Sequence, residues 1–165
     1  MPVDKKIKDL RIMVTGGAGF IGSALVRHII HSTKCSVLNV DILTYAANVN
    51  SLATIKNSPN YNFLRADIRD AEAMTKAFSE FQPDAVVHLA AESHVDRSID
   101  GPAAFLSTNV NGTYVLLEAA LAYWNNLESI HKDNFRFLHV STDEVFGSLE
   151  EEGLFCEDTP YRPNS

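Results

Sequence analysis

The residues best equipped for chemistry stand at three places in the chain. The first is TGGAGFIG, Thr15 to Gly22, in which Gly16, Gly19 and Gly22 stand three apart and enclose Phe20 and Ile21. Glycine at the first place permits a sharp turn, at the second lets the backbone approach a pyrophosphate, and at the third lets a helix pack closely on a strand. Placed between a strand and a helix, such a loop offers an anion free N–H groups and the positive end of the helix dipole. The second place is Asp41, nineteen residues past Gly22 and followed by Ile42, Leu43 and Thr44. A carboxylate at a strand end there can accept both hydroxyls of an adenosine ribose and repels a 2′-phosphate. With no arginine following it, the pattern predicts NAD rather than NADP. The bland alternatives are a glycine-rich turn without a ligand and an aspartate that caps a turn. The third place is Thr142 with the adjacent carboxylates Asp143 and Glu144, an acid and a base side by side. By itself that pair could equally be a solvated charge pair at a strand end.

The elements that must position these groups follow from periodicity. RIMVT (Arg11–Thr15) reads as a buried strand, and Phe20 to His31 carries apolar residues at helical spacing. SVLNVD (Ser36–Asp41), YNFLRAD (Tyr61–Asp67), DAVVHLA (Asp84–Ala90) and FRFLHVST (Phe135–Thr142) read as four more strands. Asn48–Lys56 is a weak helix candidate that ends before the turn cluster Asn57–Asn60. Asp70 is the expected N-cap of a helix reaching about Phe81, closed by Gln82 and Pro83. A long helix is expected from about Pro102 to Trp124. Strands alternating with helices predict an α/β fold, a Rossmann-like, doubly wound parallel sheet of strand order 3-2-1-4-5. Residues 1–145 form the expected NAD-binding domain. Residues 146–165 show no period, hold the acidic run Glu150–Glu152, and read as a loop or tail.

Composition narrows the function classes. The chain has 165 residues, 45% hydrophobic and 21% charged, with a net charge of −7. It is long enough for one domain with its own core. Its acidity argues against a nucleic-acid partner, which needs a basic face. Two distant cysteines, Cys35 and Cys156, fit a reducing compartment rather than a disulfide framework. No metal spacing is visible among His28, His31, His131 and His139. The opening MPVDKKIKDL lacks the apolar core of a leader, and no apolar run approaches a membrane span. A soluble, cytoplasmic protein is expected.

The glycine loop resembles that of the extended short-chain dehydrogenase/reductase family, and further matches follow in register. Asp67–Ile68 looks like the family's adenine-contacting pair. LAAES (Leu89, Ala90, Ala91, Glu92, Ser93) looks like the segment that lines the cofactor. Thr108 and Asn109, followed by VNGT, resemble the helix that buttresses the active site. HLAAESHVDRSI (His88–Ile99) and STDEVFG (Ser141–Gly147) resemble the dTDP-glucose 4,6-dehydratase branch, which belongs to the lyases. A 4,6-dehydration takes a hydride from sugar C4, removes a proton at C5 and expels water from C6. The resemblance implies that Thr142 hydrogen-bonds the 4-hydroxyl, Asp143 protonates the departing C6 hydroxyl and Glu144 takes the C5 proton. It also implies that NAD takes and returns the hydride within one turnover, and that Ser93 reaches the sugar or the nicotinamide side. His94 and Arg97 read as loop anchors as readily as ligands, so Ser93 ranks above both. A homodimer built partly on the Pro102–Trp124 helix is likewise implied. The rivals are a dehydratase or epimerase for another nucleotide sugar, and a non-catalytic NAD-binding module.

One departure qualifies the resemblance. The family's base is a tyrosine with a lysine four residues on, whereas the position four beyond Tyr161 is Ser165. The match therefore reads as the first half of a family member, truncated before the catalytic tyrosine, the rest of the sheet and the substrate domain. The 165 residues alone are expected to bind NAD weakly and to turn over dTDP-glucose slowly or not at all.

Overall fold

The computed structural model describes residues 9–149 and 153–164. The leader reading of the first eight residues, the acidic run Glu150–Glu152 and Ser165 lie outside them. Five strands, β1 (Arg11–Thr15), β2 (Ser36–Val40), β3 (Tyr61–Leu64), β4 (Ala85–His88) and β5 (Arg136–His139), form one sheet in the order β3-β2-β1-β4-β5. Every neighbouring pair is parallel, as the alternation of strand and helix requires.

Side chains on a strand alternate between faces, and β1 shows the result in two adjacent residues. Met13 packs with Leu38, Val40 and Val86 into one cluster, against Met74 and Phe78 of α2 (Ala71–Phe81) and Leu116 and Ala120 of α5 (Thr113–Asn125). Val14 turns the other way, to Val37 and to Val26 and Ile29 of α1 (Phe20–Ser32). The sheet is thus covered on both faces, with β1 buried at its centre.

The helix α2 starts and stops where its sequence says it should. Asp70 Oδ1 accepts a hydrogen bond from the Ala73 N–H at 3.0 Å, and Gln82 ends the helix in a left-handed conformation with φ of 50°. Replacing Asp70 by alanine is expected to lower stability by about 1 kcal/mol in urea denaturation, the usual cost of losing such a cap. An unchanged midpoint would show that the cap contributes nothing.

Other boundaries moved. The ladders end two or three residues before the expected strand ends, with β3 stopping at Leu64, β4 at His88 and β5 at His139. The expected long helix is α4 (Pro102–Phe105), a π-helical stretch over Leu106–Gly112, and then α5. Two short helices, α3 (Val95–Asp100) and α6 (Ser129–Asn134), had no periodic signal to announce them. The candidate helix at Asn48–Lys56 shrinks to a 3₁₀ turn, Val49–Leu52. Beyond β5, Asp143–Phe146 is a 3₁₀ turn, and the tail folds back on it. Phe146 stacks on Phe155 with centroids 5.2 Å apart, and the Arg162 N–H donates to the Val145 carbonyl at 2.9 Å.

Candidate functional site

In a parallel sheet all strands end on the same edge, so the loops after them converge. Here they surround a cavity of about 930 Å³, lined from the loop after β1 to the turn after β5. Gly16 opens the loop after β1 with φ of +72°, and a Cβ there would stand 2.7 Å from the Ala90 nitrogen. Only glycine fits that turn. Gly19 is the N-cap of α1, with no side-chain cap and no acid in the first turn. The first-turn N–H groups of α1 have no intrahelical acceptors, and Gly19, Phe20, Ile21 and Gly22 all line the cavity. Backbone and helix dipole together make an anion seat.

Asp41 is buried at the end of β2 and lines the same cavity. Its Oδ2 accepts from the Ala18 N–H at 2.9 Å and its Oδ1 from the Leu43 N–H at 2.8 Å. The turn-capping role and the place at the cavity therefore coexist, since each carboxylate oxygen has more than one lone pair. Ile42 and Thr44 line the cavity, but Leu43 does not. Leu43 has φ of 64° and packs against the apolar cluster under α1. Its side chain thus turns away from the cavity that its neighbours line. The alternating backbone of an extended loop would have offered Leu43, but the left-handed turn takes it inward.

Asp67, Ile68 and Arg69 form the wall after β3, and Leu89, Ala90, Ala91 and Ser93 the wall after β4. The Arg69 guanidinium beside Asp67 holds that carboxyl below the usual carboxylate range. Thr108 and Asn109, both in the π-helical stretch, complete this side. Asn109 Oδ1 accepts from the Glu92 N–H at 2.8 Å, and its Nδ2 donates to the Glu92 carbonyl at 2.9 Å. The side chain thus clamps the segment after β4 at both backbone groups of Glu92. A π-bulge inside a helix is frequently found at functional sites.

Thr142 caps the 3₁₀ turn after β5. Its Oγ1 accepts from the Glu144 N–H at 3.3 Å and donates to Asp143 Oδ1 at 3.3 Å. Thr142 and Glu144 line the cavity, whereas Asp143 does not. Adjacent residues in a tight turn point in different directions, which sets the two carboxylates apart. Both are exposed.

Sequence reasoning missed a group at the cavity mouth. The Arg97 guanidinium sits 3.7 Å from the Tyr45 ring centroid, and the Tyr45 hydroxyl donates to Glu92 Oε2 at 3.1 Å. His94 meets the same ring edge-on. Arg97 and His94 are therefore anchored to the loop after β2 and do not line the cavity, whereas Ser93 does. Beneath the floor, His88 is buried between two hydroxyls, Thr15 Oγ1 at 2.6 Å from Nδ1 and Thr113 Oγ1 at 3.0 Å from Nε2. Burial, and secondarily the neighbouring His139, push the His88 ring down to about 4. Only its placement inside an apolar strand hinted at this role.

A parallel sheet of order 3-2-1-4-5, with a glycine loop and an acid-bearing turn after its strands, defines a Rossmann-like α/β domain. The sequence model for GDP-mannose 4,6 dehydratase matches residues 13–165, and the chain belongs to that family. It is 61% identical to dTDP-glucose 4,6-dehydratase 1 of Escherichia coli K12, over 94% of this chain and 46% of the relative. A Haemophilus influenzae dTDP-glucose 4,6-dehydratase is 54% identical at the same coverage. Among solved structures, DesIV of Streptomyces venezuelae, a dTDP-glucose 4,6-dehydratase with NAD and TYD bound, superposes with a TM-score of 0.82. It is 42% identical, over 94% of this chain and 46% of that one. The UDP-glucose 4-epimerase of Thermus thermophilus in complex with NAD gives 0.76 at 31% identity, over 94% and 45%. The chain spans about half the length of the curated relatives it matches.

Proposed function

We propose that this chain carries the NAD-binding part of a dTDP-glucose 4,6-dehydratase, a lyase of nucleotide-sugar metabolism. The observation that carries the reading is one cavity that joins the Gly16–Gly22 loop, Asp41 and Asp67 to Thr142 and Glu144. The residues present fit the dinucleotide. Gly16 leaves no room for a side chain beside Ala90, and the uncapped start of α1 suits a pyrophosphate. Asp41 would hold the adenosine ribose, Asp67 and Ile68 the adenine, and Ala90, Ala91, Ser93 and Thr108 the remaining wall. NAD, when bound, supplies the hydride acceptor for sugar C4 and the donor for C6. Thr142 then orients the 4-hydroxyl and Ser93 helps to hold the sugar. Glu144 removes the C5 proton, and Asp143 gives a proton to the departing C6 hydroxyl.

The identities to named dTDP-glucose dehydratases support the dTDP-sugar as substrate. An epimerase makes no use of an acid–base pair after the threonine. These 165 residues contain no tyrosine with a lysine four positions on. Losing a positioned base costs about 10²–10⁴ in rate, so by themselves they are expected to turn over little or nothing. Residues 1–145 are proposed as the cofactor-binding domain and 146–165 as its exit segment. Leu106, Val110, Tyr114, Leu117 and Leu121 form an exposed stripe along the long helical segment, which supports a homodimer. Among the described residues no helix is long and apolar enough to cross a membrane, and a cytoplasmic location is part of the proposal.

The test offers the complete protein dTDP-, UDP- and GDP-glucose with NAD and follows loss of one water from each sugar by mass spectrometry. Dehydration of dTDP-glucose first is the expected result. Binding of NAD without any dehydration would leave only the binding-module reading. In the same protein, Asp41→Asn should narrow the preference for NAD over NADP by about tenfold, the scale of one charge-assisted contact. An unchanged ratio in binding titrations would remove Asp41 from the ribose site.

A further inference from the structure

We infer that Arg69 is a positioning residue for base recognition: it fixes the Asp67 carboxylate so that the cavity selects a purine with a 6-amino group over one with a 6-oxo group. This deepens the NAD reading above and rests on it.

The geometry is a closed fork. Arg69 Nε lies 3.0 Å from Asp67 Oδ1 and 2.9 Å from Oδ2, and Nη2 lies 2.5 Å from Oδ2. The Arg69 backbone N–H adds a bond to Oδ1 at 2.9 Å. Both carboxylate oxygens are thus held from one side, which fixes the plane of the group. The fork is itself tethered. Arg69 Nη1 donates to Ser107 Oγ at 3.0 Å, across to the π-helical stretch that carries Thr108 and Asn109. Gly112 leaves space there for Ile68 and the Arg69 stem, since a Cβ would come within 2.7 Å of Ile68 Cδ1 and 3.3 Å of Arg69 Cγ. Asp67, Ile68 and Arg69 all line the cavity.

A carboxylate so held is an acceptor with no proton to give. Its remaining lone pairs favour an N–H donor and repel a carbonyl oxygen. Adenine presents an amino group at C6, whereas hypoxanthine presents an oxygen there. A free aspartate could rotate or take up a proton to accommodate the oxygen. The Asp67–Arg69 pair resists both, because the guanidinium cannot be deprotonated and keeps the carboxyl ionised. A lysine in its place would keep the charge but lose the fork.

The experiment measures dissociation constants of the complete protein for NAD and for nicotinamide hypoxanthine dinucleotide. The unaltered protein should prefer NAD by about tenfold or more, the worth of one charge-assisted hydrogen bond. Arg69→Ala should bring the two constants to within about threefold of each other, and Arg69→Lys should fall between. Ser107→Ala removes one tether without touching the pair and should lower the ratio by a smaller factor, a second reading should Arg69→Ala fail to fold. A merely structural Arg69 would weaken both dinucleotides alike, and an unchanged ratio in Arg69→Ala and Ser107→Ala, with NAD still bound, overturns the inference alone. Failure of the unaltered protein to bind either dinucleotide overturns the NAD reading and this inference together.

Discussion

Replacing Glu144 by glutamine should lower turnover of dTDP-glucose by about 10²–10⁴-fold while leaving NAD affinity unchanged. The glutamine keeps the volume and the hydrogen-bonding reach of the side chain but cannot take a proton. Its backbone N–H would still donate to Thr142 Oγ1, so the turn survives the change. Removing the C5 proton and expelling the C6 hydroxyl are separate duties, so the two acids should fail differently. Glu144→Gln should abolish incorporation of solvent deuterium at C5, whereas Asp143→Asn should retain that exchange but lose dehydration. Deuterium entering C5 at the original rate in Glu144→Gln would sink the assignment of that residue as the base. Asp143 must turn toward the sugar to act, because only Thr142 and Glu144 of this turn line the cavity.

The second large effect belongs to His88 and to acid. Its folded value lies at about 4, below the ordinary 6.5 of the unfolded chain. Between those two values the unfolded chain holds the extra proton, so a falling pH favours unfolding. The stabilisation is complete above about pH 6.5 and is lost as the pH falls to about 4. The difference corresponds to about 3 kcal/mol. Urea denaturation of the unaltered protein should show stability rising with pH across that window. His88→Gln should be less stable throughout but flatter in pH, because glutamine has nothing to protonate. Retention of the full slope by that variant would assign the acid sensitivity to other groups.

Much of the architecture was legible because its signals are local. The Asp70 cap, the stop at Gln82 and the glycine loop each depend on a few consecutive residues. Strand order followed from the alternation of elements and from the handedness of parallel connections. Strand ends were not legible. YNFLRAD, DAVVHLA and FRFLHVST give no turn signal at the last rung, and Asp67, Ala90 and Thr142 beyond it line the cavity instead of the ladder. Leu43 and Asp143 do not line the cavity for a related reason, since a left-handed residue and a tight turn redirect side chains that spacing alone would send there. Tyr45 and Arg97 were invisible as a pair, because their contact depends on two loops brought together by strands far apart in sequence. His88 is the same case in the core, where only the fold supplies the two threonines on either side of its ring.

The central position of β1 also bears on how the molecule is made. β1 leaves the ribosome well before one of its two sheet neighbours, β4, which begins only at Ala85. The Arg11 N–H is held by Asp84 Oδ2 at a separation of 73 residues. Until that stretch has been synthesised, β1 can pair only with β2, and the Gly16 turn lacks the Ala90 backbone against which it is shaped. Non-local pairings of this kind slow folding and leave apolar strands uncovered in the meantime. The Gly16–Gly22 loop therefore precedes in synthesis the backbone that shapes it, and should take its final form only after β4 and Ala90 have emerged.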